Sequence, residues 1–172
     1  MNVHSVHDLS NTKLINFLKK NLSHIDDERT KENYHPDFQS KPGNLFYILK
    51  EGRYKTGNYL IMEENGKYLG SAGWNEYDDV ALILTRAFVP KEHRGKFNMA
   101  KYLLPIMFKE TTEYDRLWIT CNDYNFTIYQ ALTRLSEGKV STPWPNIYKN
   151  FTPIGKRSVY YTEQYVAEYK RQ

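Results

Sequence analysis

The apolar positions of this chain change period along its length. From Ser10 to Leu22 they fall at Leu14, Phe17, Leu18 and Leu22, one stripe of a helix. Asp8 or Ser10 is placed to cap its start. His24 to Gly43 is polar, carries two prolines and reads as a loop with a short helix. GNLFYILKEG, Gly43 to Gly52, predicts a short helix closed by Gly52. The period then becomes that of strands. NYLIMEENGKYLGSAGW holds Asn65 and Gly66 between two apolar runs, which predicts a hairpin. VALILTRAFV, Val80 to Val89, is nearly all apolar and reads as a central strand buried on both faces.

Helical spacing returns at about Phe97 and runs through Ala100, Leu103, Leu104, Met107 and Phe108. Pro105 lies inside it, so a kink or a broken turn is expected. RLWITC predicts a short buried strand, and Ile128, Leu132 and Leu135 mark one more helix. Pro143, Pro145, Pro153 and Gly155 break up the tail, where SVYYTEQYV reads as a last strand. A hairpin feeding a strand–helix–strand crossover implies an α/β (α+β) fold with a mixed sheet flanked by helices. No repeat or long linker divides the chain, so residues 1–172 are expected to form a single domain.

Composition adds bounds. The 40% of hydrophobic residues is enough for a core, and 15 tyrosines suit a partly wet cleft. The net charge of +4 leans towards anionic partners without the footprint of a dedicated nucleic-acid binder. Cys121 is the only cysteine, so no internal disulfide forms, and a cytoplasmic setting fits. No secretory signal and no membrane-spanning run is read from the sequence. The five histidines lack ligand spacing and there is no HExxH, Cys cluster or Walker loop, so no metal is expected. Cys121 follows a buried strand and reads as a small buried thiol.

The candidate chemistry begins at VPKEHRGKFNMAKYLL, Val89 to Leu104. A helix start leaves about four backbone N–H groups unpaired and favours an anion. Arg94, Gly95 and Lys96 add a flexible point and two cations there. The stretch resembles the acyl-CoA pyrophosphate loop of the GNAT N-acetyltransferase superfamily. In that family Val-x-Pro is followed by an Arg-Gly-x-Gly-x-Gly type loop and a leucine-rich helix. Val89, Pro90, Arg94, Gly95, Lys96, Leu103 and Leu104 match, while Phe97 and Met99 stand where glycines are usual. CNDYNFTIYQALTRL is similar to the family's second signature, an Asn and a Tyr seven residues apart, here Asn122 and Tyr129. Thr133 and Arg134 replace the Gly-Phe that usually follows. The resemblance covers about Asn58 to Leu135.

The resemblance implies a GNAT-like, mostly antiparallel sheet with a β-α-β CoA-binding core. It implies acetyl transfer from acetyl-CoA to an amine by direct attack in a ternary complex. Phe88, Val89, Arg94, Gly95, Lys96, Phe97, Asn98, Met99 and Asn122 are then the cofactor contacts. The thioester oxygen wants a backbone N–H, and Pro90 has none, so Phe88 or Val89 supplies it. Tyr129 is expected to protonate the leaving thiolate and Glu76 to act as the base. Arg86, inside an apolar strand, reads either as the partner of Glu63 or Glu76 or as an anion site. The acceptor is expected to be a small-molecule or protein amine. The basic, aromatic tail leaves nucleic acid as a less favoured partner, and a homodimer is compatible. The alternative is a GNAT-fold protein with lost or altered cofactor use, a binding module or a modifier of nucleic acid or its bases. The CoA-binding reading requires neighbouring parallel strands that part near Val89 and Cys121.

Overall fold

The first strand, β1 (Asn2–Ser5), was not apparent in the apolar pattern, because one exposed and three half-buried residues carry too little periodicity to register. It is followed by α1 (Asn11–Ile25), α2 (Pro42–Lys50), β2 (Asn58–Glu64), β3 (Lys67–Tyr77) and β4 (Val80–Phe88). A short 3-10 turn (Lys91–His93) leads to α3 (Met99–Glu110), β5 (Arg116–Cys121), β6 (Thr152–Val159) and β7 (Thr162–Lys170). The computed structural model describes residues 1–25, 42–94, 99–121, 129, 130, 133, 150–160 and 162–172. The strand order is β1-β2-β3-β4-β5-β7-β6, a mixed sheet in which β4 and β5 are parallel. Among the described residues no helix is long and apolar enough to cross a membrane.

The chain forms two compact units, and β3 and β4 contribute residues to both. The first comprises residues 1–75 and 86–99. Its core gathers Val6, Leu14, Leu18, Ile48, Leu49, Tyr54, Tyr59 and Ile61, so the stripe of α1 packs on α2 and β2. Ser10 is the cap: its Oγ accepts the Lys13 N–H at 3.2 Å. At the end of α2 the Gly52 N–H donates to the Tyr47 carbonyl at 2.7 Å, as a glycine closure should. Asn65 and Gly66 both have positive φ, 50° and 75°, the tight turn whose twist matches its strands.

The second unit comprises residues 76–85 and 100–172. Here β5 pairs antiparallel with β7 from Arg116–Lys170 to Cys121–Tyr165. The expected single strand SVYYTEQYV is in fact a corner. It holds the end of β6, a turn at Tyr160 (φ 47°) and the start of β7. Helix α3 is unbroken across Pro105. The Lys101 carbonyl, which Pro105 cannot bond, belongs to an exposed residue, and Pro105 is exposed as well, so water can serve it. The expectation that β4 is buried throughout also needs correction: Val80 to Ile83 are buried, but Leu84 to Phe88 are half-buried or exposed.

Candidate functional site

The parallel contact of β4 with β5 is short. It pairs Ala81 with Leu117 and Leu82 with Trp118. Strand β5 continues to Cys121 on its β7 side, where Ile119, Thr120 and Cys121 face Ala167, Val166 and Tyr165. Beyond Leu82, β4 leaves regular strand geometry. Leu84 and Arg86 both have left-handed backbones, φ 55° and 46°. For residues with a Cβ this conformation costs roughly 1–2 kcal/mol each. Strain of that size persists only where the surroundings enforce it, and it clusters at functional sites. Among the described residues β4 and β5 are paired at Leu117 and Trp118 alone.

The end of β4 carries the expected cofactor contacts, and in the first unit it is firmly held. The Tyr59 hydroxyl donates to the Arg86 carbonyl at 3.0 Å and shares a 2.8 Å bond with Ser71 Oγ. Tyr68 bonds the same Ser71 oxygen at 2.5 Å. Burial pushes the Tyr59 and Tyr68 hydroxyls well above their ordinary ionisation range, so both stay neutral hydrogen-bonding groups. On β3, Gly70 leaves room for the strand end: a Cβ there would approach Phe88 O to 3.0 Å and Val89 Cγ2 to 3.5 Å. Met99, the first residue of α3, lies at the same spot, with its Sδ at 3.4 Å from that Cβ position. Arg94 is folded back. Its Nε donates to the Val89 carbonyl at 2.9 Å and its guanidinium lies 5.5 Å from the Phe88 ring centre. Gly95, Lys96, Phe97 and Asn98 lie outside the described residues, as does Asn122. The structure thus brings Phe88, Val89, Arg94 and Met99 together.

Tyr129 is helical and half-buried in the second unit. Its ring packs on Tyr165 with centres 5.0 Å apart. The Gly155 backbone N–H donates to its hydroxyl oxygen at 3.1 Å. Its backbone bonds the Cys121 thiol, a minor effect beside burial, which pushes that thiol from 9.0 up to about 12. Cys121 therefore stays protonated at neutral pH and is no nucleophile. Tyr165 and Gly155 were not singled out by spacing. The alternation in TEQYVAEYK is the signal for a strand face carrying Tyr165, Ala167 and Tyr169.

Glu76 is exposed and bonded to Tyr114, just before β5. Partial desolvation first, then the charges of Glu76 and Glu113, raise the Tyr114 hydroxyl above its usual range. Tyr129, by contrast, contacts Cys121 at the far end of β5. Five strand steps separate Arg116 from Cys121, roughly 16 Å. The structure does not bring Glu76 and Tyr129 together. Arg86 is half-buried, with Nε and Nη2 inside the protein. Among the described residues no group of three His, Cys, Asp or Glu is arranged to hold a metal.

The fold is shared with solved N-acetyltransferases. An N-acetyltransferase from Staphylococcus aureus Mu50 superposes with a TM-score of 0.59 at 16% identity, covering 99% of both chains. An N-acetyltransferase from Thermoplasma acidophilum in complex with coenzyme A gives 0.57 at 12% identity, covering 99% of this chain and 100% of that one. A variant of spermidine N-acetyltransferase from Vibrio cholerae gives 0.60 at 11% identity, covering 99% and 95%. No protein-family model and no curated protein sequence matches the chain. The likeness is one of fold: the GNAT-type mixed sheet expected from the two sequence signatures is present.

Proposed function

We propose that the protein is an acetyl-CoA-dependent N-acetyltransferase. The observation that carries the reading is the short β4–β5 pairing followed by left-handed Leu84 and Arg86. It occurs in a fold shared with an N-acetyltransferase that holds coenzyme A. In this reading the extended pantetheine arm bonds the backbone of β5 beyond Trp118, and the start of α3 receives the diphosphate. Lys96 and the N–H groups from Gly95 to Met99 would contribute there, with Asn122 on the arm. Arg94 would join them by leaving the Val89 carbonyl.

The neutral acceptor amine attacks the thioester carbonyl, forming a C–N bond. Phe88 or Val89 donates a backbone N–H to the oxyanion. The C–S bond then breaks, Tyr129 protonates the departing thiolate, the amine proton passes to solvent, and solvent returns a proton to Tyr129. The Gly155 N–H bond to the Tyr129 oxygen orients the hydroxyl for this role. Glu76 has no part in this scheme, since its bond to Tyr114 keeps it at the start of β5. The enzyme then draws on the neutral fraction of its acceptor. A lysine-like amine with pKa ~10.4 is mostly charged at neutral pH, so activity should climb with pH.

A second reading, a fold of this type that no longer uses CoA, is favoured by Arg94 being turned onto Val89 and Phe88. Calorimetric titration with acetyl-CoA separates the two. Saturable binding followed by acetyl transfer supports the enzyme. A folded protein with no affinity for acetyl-CoA or CoA rejects it.

A further inference from the structure

The chain carries a cation beside Tyr129. Lys156 Nζ lies 5.0 Å from the centre of the Tyr165 ring, and that ring packs on Tyr129. The preceding residue, Gly155, is the one whose N–H holds the Tyr129 hydroxyl. A bulge brings this about. Strand β6 pairs Pro153 with Ala167 and next Gly155 with Val166, so Ile154 is an extra residue. Gly155, at φ 84°, takes up the left-handed turn that this needs. Without the extra residue Lys156 would fall opposite Gln164 and point to the other face. With it, Lys156 stands opposite Tyr165.

Among the described residues Lys156 forms no ion pair. Glu163 stands opposite Ser158 and is diagonal to Lys156 across the ladder, a separation of about 7–8 Å between backbones. Arg157 adds a second positive charge and donates to the Lys156 carbonyl at 2.8 Å. Glu168 is engaged by Trp118, Arg116 and Lys170. Lys156 is thus held beside Tyr129 by the face of the Tyr165 ring.

We infer that Lys156 sets acceptor specificity, selecting amines that carry a carboxylate and disfavouring polyamines. This rests on the N-acetyltransferase reading. The carboxylate pairs with the Lys156 ammonium while the amine faces the thioester. A polycation meets like charge instead.

The test compares phenylalanine with phenylalaninamide, and both with spermidine, as acceptors at saturating acetyl-CoA. The expected kcat/KM, expressed per neutral amine because the amide is the weaker base, favours the acid about tenfold over the amide. Lys156→Gln brings that ratio near one and Lys156→Arg restores it, with acetyl-CoA affinity unchanged within about twofold. An unchanged ratio in Lys156→Gln overturns the inference. So does faster turnover of spermidine, or no turnover of the acid while acetyl-CoA binds. Weaker acetyl-CoA binding with an unchanged ratio would make Lys156 a cofactor contact and also overturn it. If acetyl-CoA does not bind, the enzyme reading falls, and the subsite is read by calorimetry with N-acetylphenylalanine against its amide. Tighter binding of the acid that Lys156→Gln abolishes supports the subsite; equal binding overturns it.

Discussion

The backbone N–H of Gly155 donates to the hydroxyl oxygen of Tyr129 at 3.1 Å. A tyrosine whose oxygen accepts from the backbone is oriented by that bond. Tyr129→Phe keeps the ring packed on Tyr165 and removes the hydroxyl, both its proton and the oxygen that accepts from Gly155. The account predicts a fall in kcat of about 10²-fold or more, with KM for acetyl-CoA within about twofold. Steady-state kinetics checks this, and an unaltered kcat removes Tyr129 from the mechanism.

Glu76 bonds Tyr114 at the start of β5. Glu76→Gln should therefore leave kcat and its pH profile within about twofold of the parent. A hundredfold loss that shifts the acid limb of the profile would restore the carboxylate as base.

Tyr59 ties the left-handed Arg86 carbonyl to Ser71. Tyr59→Phe removes a buried hydroxyl and its bonds to the Arg86 carbonyl and Ser71, which costs about 1–3 kcal/mol. Urea unfolding measures it as a lower midpoint at unchanged slope. A change under about 0.5 kcal/mol would mean that the kink in β4 stands without this tie.

The buried groups fix the alkaline limit. Burial raises the Cys121 thiol from 9.0 to about 12, and raises the Tyr59 and Tyr68 hydroxyls. A raised folded value means that the unfolded chain loses these protons first. The stabilisation is whole below about pH 9 and drains as pH rises through the folded values. Thermal melts from pH 8 to 11 should fall steadily, and Cys121→Ala should flatten the first part of the decline. In the native protein at neutral pH, Cys121 should resist iodoacetamide and react quickly once unfolded.

Much of this architecture was legible in the residues, and the reasons differ by element. Asn65–Gly66 specifies its turn because only such residues take two positive φ values cheaply. The stripe through Leu14 and Leu18 and the run RLWITC are set by burial. β1 was too short to show a period, and the corner at Tyr160 lies among residues that favour strands on both sides. The kink of β4 was invisible in principle. Leu84 and Arg86 are not residues that prefer a left-handed backbone, so tertiary contacts such as Tyr59 to Arg86 impose it. The expected loop contacts Gly95 to Asn98, and Asn122, fall outside the described residues. Tyr129 was found by its distance from Asn122, but its partners Gly155 and Tyr165 come from strands far along the chain, a pairing that no local spacing encodes.

On the proposed function, the stretch from Val89 to Met99 holds a CoA diphosphate although Phe97 and Met99 replace glycines. Isothermal titration of the folded protein with acetyl-CoA tests it directly. The account predicts one saturable site with micromolar affinity, weakened about tenfold by Arg94→Ala and weakened by added salt. No heat with either acetyl-CoA or CoA, and affinity that appears only in a Phe97→Gly, Met99→Gly double variant, would contradict it.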